Sequence, residues 1–185
     1  QKADEHGRHL GAAYERLSAH PRPMNCVKIY GADSGPDWSG SDRDGLERFW
    51  RGILGGTAGC RLHRPPYGLG GSTAGDIHLT AARQLLERYD IFQSIPDFEH
   101  QHLEERETNE AFCASIPGSA VVVFFPQAGE VILNHHDLEE TVSIQWLDIN
   151  HNRWYTPRMG RFSDGVSLKT PGEGYWLALV ERNSD

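Results

Sequence analysis

The chain has 185 residues, a net charge of −8 and a hydrophobic fraction of 38%, enough to bury a core in one large or two small domains. The acidic balance argues against partners that need a basic face, such as nucleic acid or an anionic membrane. No apolar run approaches the ~18 residues that would suggest a membrane span.

In chain order, Leu10, Ala13, Tyr14 and Leu17 recur at i, i+3, i+4 and i+7, which predicts an amphipathic helix over residues 3–19. The proline pair Pro21 and Pro23 ends it. A short strand over residues 24–30 leads into a Gly/Asp/Ser loop with Asp33, Asp37 and Trp38. Ser41 then stands as an N-cap with Asp44 at the third helical position. Leu46, Phe49, Trp50, Ile53 and Leu54 make one apolar stripe, and Gly55-Gly56 stops the helix. A second strand over 58–63 runs into Arg64-Pro65-Pro66-Tyr67 and a glycine-rich stretch to Gly71. A third helix, about 74–89, should bury Leu79, Ala82, Leu85, Leu86 and Tyr89.

Residues 91–108 read as a linker or docking segment. Beyond it, strands are expected at 120–126, 130–134, 166–170 and 175–181. The run from 141 to 162 supplies another, with Val142, Ile144 and Trp146 alternating against Thr141, Ser143 and Gln145. The Asn-rich turn 148–153 precedes a reopened extended segment at Trp154-Tyr155. The predicted class is α/β followed by all-β. Residues 1–100 form the terminal units of a (β/α) barrel and 101–185 a small antiparallel β-sandwich. Two strands are too few to close a parallel sheet buried on both faces, so the sequence reads as a piece of a longer protein; the alternative is a compact α+β domain in which these strands pair with the β-rich half.

In a (β/α) barrel, chemistry sits at the C-terminal ends of strands. That places Lys28, Tyr30 and Asp33 after the first strand, and Arg61, His63, Arg64 and Tyr67 after the second, at the candidate site. Of the acids, only Asp33 and Asp37 lie in this rim region. Either could be catalytic, with turn formation as the alternative for an acid in such a loop, and Asp33 is the candidate catalytic carboxylate. Tyr30, Trp38, His63, Arg64, Tyr67 and, in the second half, Trp154 are candidate substrate-binding residues, since aromatic faces stack on sugars. Packing within the loops, or against a neighbouring domain, is the other reading. Trp146 and Trp176 alternate onto apolar faces as core.

Cys26, Cys60 and Cys113 are widely spaced, odd in number and lack a CxxC pair, so neither a zinc site nor a disulfide framework is expected. They read as buried free thiols. His100 with His102, and His135-His136 beside Asp137, lack the helical HExxH spacing of a metal centre. Gly68–Gly71 matches neither phosphate-binding fingerprint, and no nucleophile elbow is present.

Several segments together resemble a known family. Asn109-Glu110-Ala111-Phe112, then residues 124–133, Trp146 to Trp154, and 171–179 resemble the C-terminal β-sandwich of glycoside-hydrolase-like proteins with an apiosidase-like catalytic barrel. That module carries a collagen-binding label. PRPMNCVKIYGAD and ERFWRGILGGTAGCRLHRPPYGLG resemble the end of the family's (β/α)8 barrel, so the likeness covers most of 20–182. It implies a polysaccharide or glycan partner, an extracellular or periplasmic setting, a missing N-terminal barrel segment and no cofactor. No signal peptide is visible. Such barrels place a Glu near the end of a late strand; residues 25–30 contain none, so hydrolysis by this chain would rest on Asp33. The resulting expectation is a carbohydrate-active, glycoside-hydrolase-like protein. A non-catalytic interaction module and a histidine-based metal enzyme are the alternatives.

Overall fold

The computed structural model describes residues 3–106, 110–134, 138, 141–161 and 165–183. The chain divides into two compact units, Gln1–Phe92 and Gln93–Asp185. Among the described residues, no helix is long and apolar enough to cross a membrane.

The first unit alternates helix and strand: α1 (Ala3–Ser18), β1 (Asn25–Ile29), α2 (Asp42–Leu54), β2 (Gly59–Leu62) and α3 (Thr73–Leu86). β1 and β2 pair in parallel, with Asn25 opposite Gly59 and Cys26 opposite Cys60. Parallel neighbours need a crossover, and α2 supplies it. Its start is a full capping box, in which Asp44 N–H donates to Ser41 Oγ at 3.1 Å and Ser41 N–H donates to Asp44 Oδ2 at 2.9 Å. The predicted stripe is buried, but so are Glu47, Arg48 and Arg51. α2 is therefore enclosed on nearly all sides rather than amphipathic. α1 packs on it, and Gly7 of α1 leaves room for the Arg51 side chain, which would stand 3.3 Å from a Cβ there.

α3 is rotated relative to expectation. Leu86 is 43% exposed and Leu79 only half-buried, while His78 and Ala81 join Ala82, Leu85 and Tyr89 inside. The face is set by a buried hydrogen bond, Trp50 Nε1–H donating to His78 Nδ1 at 2.8 Å. Hydrophobicity alone gives no reason to turn a histidine inward. Leaving Trp50 Nε1–H unpaired in the interior would cost about 1–3 kcal/mol, comparable with the burial a leucine gives up by turning outward.

The second unit is antiparallel throughout. Its strands are β3 (Ile95–Pro96), β4 (Leu103–Glu104), β5 (Phe112–Ile116), β6 (Ala120–Phe125), β7 (Glu130–Leu133), β8 (Thr141–Asp148), β9 (Arg153–Trp154), β10 (Arg158–Arg161), β11 (Val166–Lys169) and β12 (Trp176–Arg182). One sheet runs β10-β8-β12-β6-β5-β3, with β9 beside β8, and a second runs β11-β7-β4. Val121, Val123, Phe125, Val142, Trp146, Trp176 and Val180 of the first share one apolar core with Leu103, Val131, Leu133, Val166 and Leu168 of the second. The segment expected as a linker enters these sheets, Ile95 pairing with Ser115 and Leu103 with Leu133. The two units meet between Phe92 and Gln93 in the chain. β10 is an edge strand that sequence periodicity did not reveal, because Arg158, Gly160 and Arg161 give it no apolar face. Asn109, the His135-His136-Asp137 group and Phe162 lie outside the described residues.

Candidate functional site

The site forms where β1 and β2 end. His63 N–H donates to Ile29 O at 2.8 Å and Gly31 N–H donates to Tyr67 O at 3.1 Å, which brings both loops to one edge. Gly31 holds a φ of +141°, and a Cβ there would meet Gly45 Cα at 2.5 Å. Only glycine lets the loop after β1 lie this close to α2. Gly68 lets the second loop fold back over His63, since a Cβ there would strike His63 O at 2.1 Å.

On this frame Tyr30, Trp38, His63 and Tyr67 converge. Tyr30 stacks on His63 with ring centroids 4.8 Å apart and meets Trp38 edge-on at 5.1 Å. Trp38 in turn lies 5.2 Å from Tyr67, and His63 lies 6.5 Å from Tyr67, nearly parallel. Trp38 is 56% exposed and Tyr67 38%, so the cluster has an open outer face. His63 Nδ1 lies 2.8 Å from Arg64 O. The carbonyl can only accept, so Nδ1 donates here, and in the neutral tautomer this leaves Nε2 as an acceptor. The Arg64 side chain is exposed beside it.

Arg48 holds this arrangement and was not singled out from the sequence. Its guanidinium reaches from buried α2, Nη1 donating to Tyr30 O at 2.7 Å and to Ser39 O at 3.1 Å. One cation thereby fixes both segments that carry the first two rings. Burial pulls its pKa below the usual guanidinium value, with Asp44 and Glu47 opposing. The only sequence signal was an arginine between Leu46 and Phe49 of the apolar stripe of a helix, a residue type ordinarily exposed.

Asp33 lies exposed at the same rim. Its Oδ1 accepts Asp42 N–H at 3.2 Å, and Asp33 N–H donates to Asp42 Oδ1 at 3.1 Å. This reciprocal pair clips the loop to the start of α2. Neither β1 nor β2 carries an acidic residue.

Trp154 belongs to the other unit. It sits half-buried on β9 opposite Leu147. Its neighbour Tyr155 instead lines a groove of about 740 Å³ together with Trp146, Pro157, Arg158, Lys169 and Pro171. Tyr155 packs edge-on against Trp176 at 5.5 Å, and the Arg153 guanidinium lies 5.4 Å from its ring centroid. Among the described residues, no three His, Cys, Asp or Glu side chains converge as a metal site. His102 Nδ1 contacts Asn134 O at 3.3 Å.

No family model matches the chain, and no curated protein matches it significantly. Solved structures do. A glycoside hydrolase family 5 protein from Bacteroides vulgatus superposes over 97% of this chain with a TM-score of 0.70 and 10% identity. A second structure, described as a glycoside hydrolase, covers the same share with a TM-score of 0.63 and 12% identity. The chain spans about half the length of these proteins, 45% and 47% respectively. The chain thus shares the fold of the matching part of these two structures.

Proposed function

We propose that this chain is a carbohydrate-active, glycoside-hydrolase-like protein whose first unit contributes terminal (β/α) strands of a barrel. The observation that carries the reading is the convergence of Tyr30, Trp38, His63 and Tyr67 at the C-terminal ends of two parallel strands, with Trp38 and Tyr67 open outward. This is where such folds bind substrate, and flat aromatic faces beside a hydrogen-bond acceptor suit the apolar face and hydroxyls of a sugar ring. The fold of the two glycoside hydrolase structures supports the same class.

In this reading further barrel strands complete the parallel sheet. Val27 of β1 is 64% exposed, whereas parallel sheets ordinarily have both faces covered. Asp33 then serves as one rim carboxylate. A glycosidase needs two across the scissile bond, and since β1 and β2 offer none, the partner comes from another strand. The second unit is a β-sandwich supporting the barrel or adding glycan contacts along the Tyr155 groove, and the setting in this reading is extracellular or periplasmic.

Tryptophan fluorescence of the folded chain, titrated with plant and bacterial polysaccharides, tests the reading. A saturable shift lost in Trp38→Ala supports it. A folded chain that answers none of the panel sinks it, and favours a non-catalytic interaction module.

A further inference from the structure

The three cysteines are free thiols in this structure, but two of them are neighbours in space. Cys26 of β1 and Cys60 of β2 are register partners across the parallel pair. Adjacent strands lie about 4.8 Å apart, inside the Cα separation of roughly 4.4–6.8 Å that a disulfide spans. Their sulfurs also point the same way. A Cβ placed on Gly52 of α2 would stand 2.3 Å from Cys60 Sγ and 3.7 Å from Cys26 Sγ, so both thiols sit together under that glycine. Thr57 Oγ1 holds Cys60 Sγ at 3.1 Å.

The two thiols are not equivalent. Cys60 S–H hydrogen-bonds the Cys26 sulfur and lowers its pKa to about 5; burial opposes this and the neighbouring His6 assists. Cys60 moves the opposite way, raised by the same hydrogen bond and by burial. Cys26 is partly exposed. A partly exposed thiol whose pKa is drawn down thus stands directly beside a more buried one whose pKa is pushed up, the asymmetry that a thiol oxidation site uses.

We propose that Cys26 and Cys60 form a reversible oxidation site that a hydroperoxide converts to a disulfide linking β1 to β2. The Cys26 thiolate attacks one peroxide oxygen, the O–O bond breaks and the departing oxygen leaves as water after taking a proton, giving Cys26 sulfenic acid. The Cys60 sulfur then attacks the Cys26 sulfur. The S–O bond breaks, and the leaving hydroxide takes the Cys60 proton to become a second water. Two thiols lose two electrons and one peroxide gains them. The product staples the two strands whose ends carry Tyr30 and His63, and a dithiol reductant restores the thiols. Cys113, buried in the second unit and hydrogen-bonded to Asp97, stays outside this chemistry.

The test treats the purified chain with one equivalent of hydrogen peroxide, alkylates it with iodoacetamide and maps the peptides by mass spectrometry. The expected result is a Cys26–Cys60 linked peptide, a chain lighter by about 2 Da before alkylation, and reversal by dithiothreitol. In Cys60→Ser, shown folded by circular dichroism, the reaction should stop at a Cys26 sulfenic acid that dimedone captures. Alkylation of both Cys26 and Cys60 after oxidation would overturn the proposal, as would sulfinic acid at Cys26 with Cys60 unlinked. If Cys60→Ser does not fold, the wild-type peptide map decides alone.

Discussion

The two units solve the problem of burial differently. In the second, strands with alternating or continuous apolar residues cover one another, and its shared core is made of valine, leucine, phenylalanine, alanine and tryptophan with a single cysteine. In the first, polar groups go inside with the apolar ones. Of the nine buried polar or charged residues among those described, Ser39, Glu47, Arg48, Arg51, Thr57 and His78 belong to the first unit and only Ser94, Ser115 and Asp148 to the second. A buried polar group is tolerated only when its hydrogen bonds are made. Those of Arg48 and Thr57 end on loop or helix carbonyls, and that of His78 on an indole N–H. The first unit gives up apolar burial for positioning, and it is the unit that carries the aromatic rim.

Substitutions can break this contrast. The largest effect is expected in the second unit. Phe125→Ala removes a fully buried ring that meets Trp146 at 5.4 Å. It should cost about 3–5 kcal/mol, seen as a shifted midpoint in guanidinium unfolding, with the rim's fluorescence response to sugar retained.

In the first unit, His78 makes stability depend on pH. Burial lowers its pKa from 6.5 to about 4. Between those values the unfolded state holds a proton that the folded state does not, so stability is complete above pH 6.5 and is lost as pH falls toward 4. The slope is about 1.4 kcal/mol per pH unit and the total at most about 3 kcal/mol. His78→Gln keeps an acceptor for Trp50 and should flatten the profile measured by urea unfolding. An unchanged slope would remove His78 as its source.

Arg48→Met keeps the buried stem and deletes the donors to Tyr30 O and Ser39 O. The expected loss is about 2–3 kcal/mol, accompanied by weaker sugar binding, because the Tyr30 and Trp38 segments are no longer tied together. Loss of stability with binding intact would show Arg48 to be structural only. Ser41→Ala, which removes the Asp44 cap, should cost about 1 kcal/mol. Trp38→Ala should shift stability by no more than about 0.5 kcal/mol, as expected at an exposed position, while abolishing the fluorescence response to sugar. A large stability loss at Trp38 would mean that the rim is packing rather than a binding face.

The strands of the second unit were legible where side chains alternate or run apolar, as in Val142-Ser143-Ile144 and the all-buried β6. β10 was not, since an edge strand needs only backbone pairing. In the first unit the caps and glycine stops located α2 to within a residue. The direction in which α3 faces was not legible, because it depends on Trp50 Nε1–H finding His78, a partner 28 residues away. The rim residues could be named in advance from strand-end logic alone, but their mutual contacts could not.

By itself, then, the sequence determined the three helices, β1, β2 and the longer apolar strands, because periodicity, capping and turn chemistry act over a few residues, but it did not mark β3, β4, β5 or β10. It also placed Tyr30, Asp33, His63, Arg64 and Tyr67 beyond the strand ends, whereas Lys28 and Arg61, expected there too, lie within β1 and β2. Tertiary structure alone decided that Arg48 would bind two loop carbonyls, that Tyr155 rather than Trp154 would line a groove, and that two cysteines 34 positions apart would stand side by side. Each of these depends on register and close approach between distant segments, and no local pattern encodes a distance across a fold.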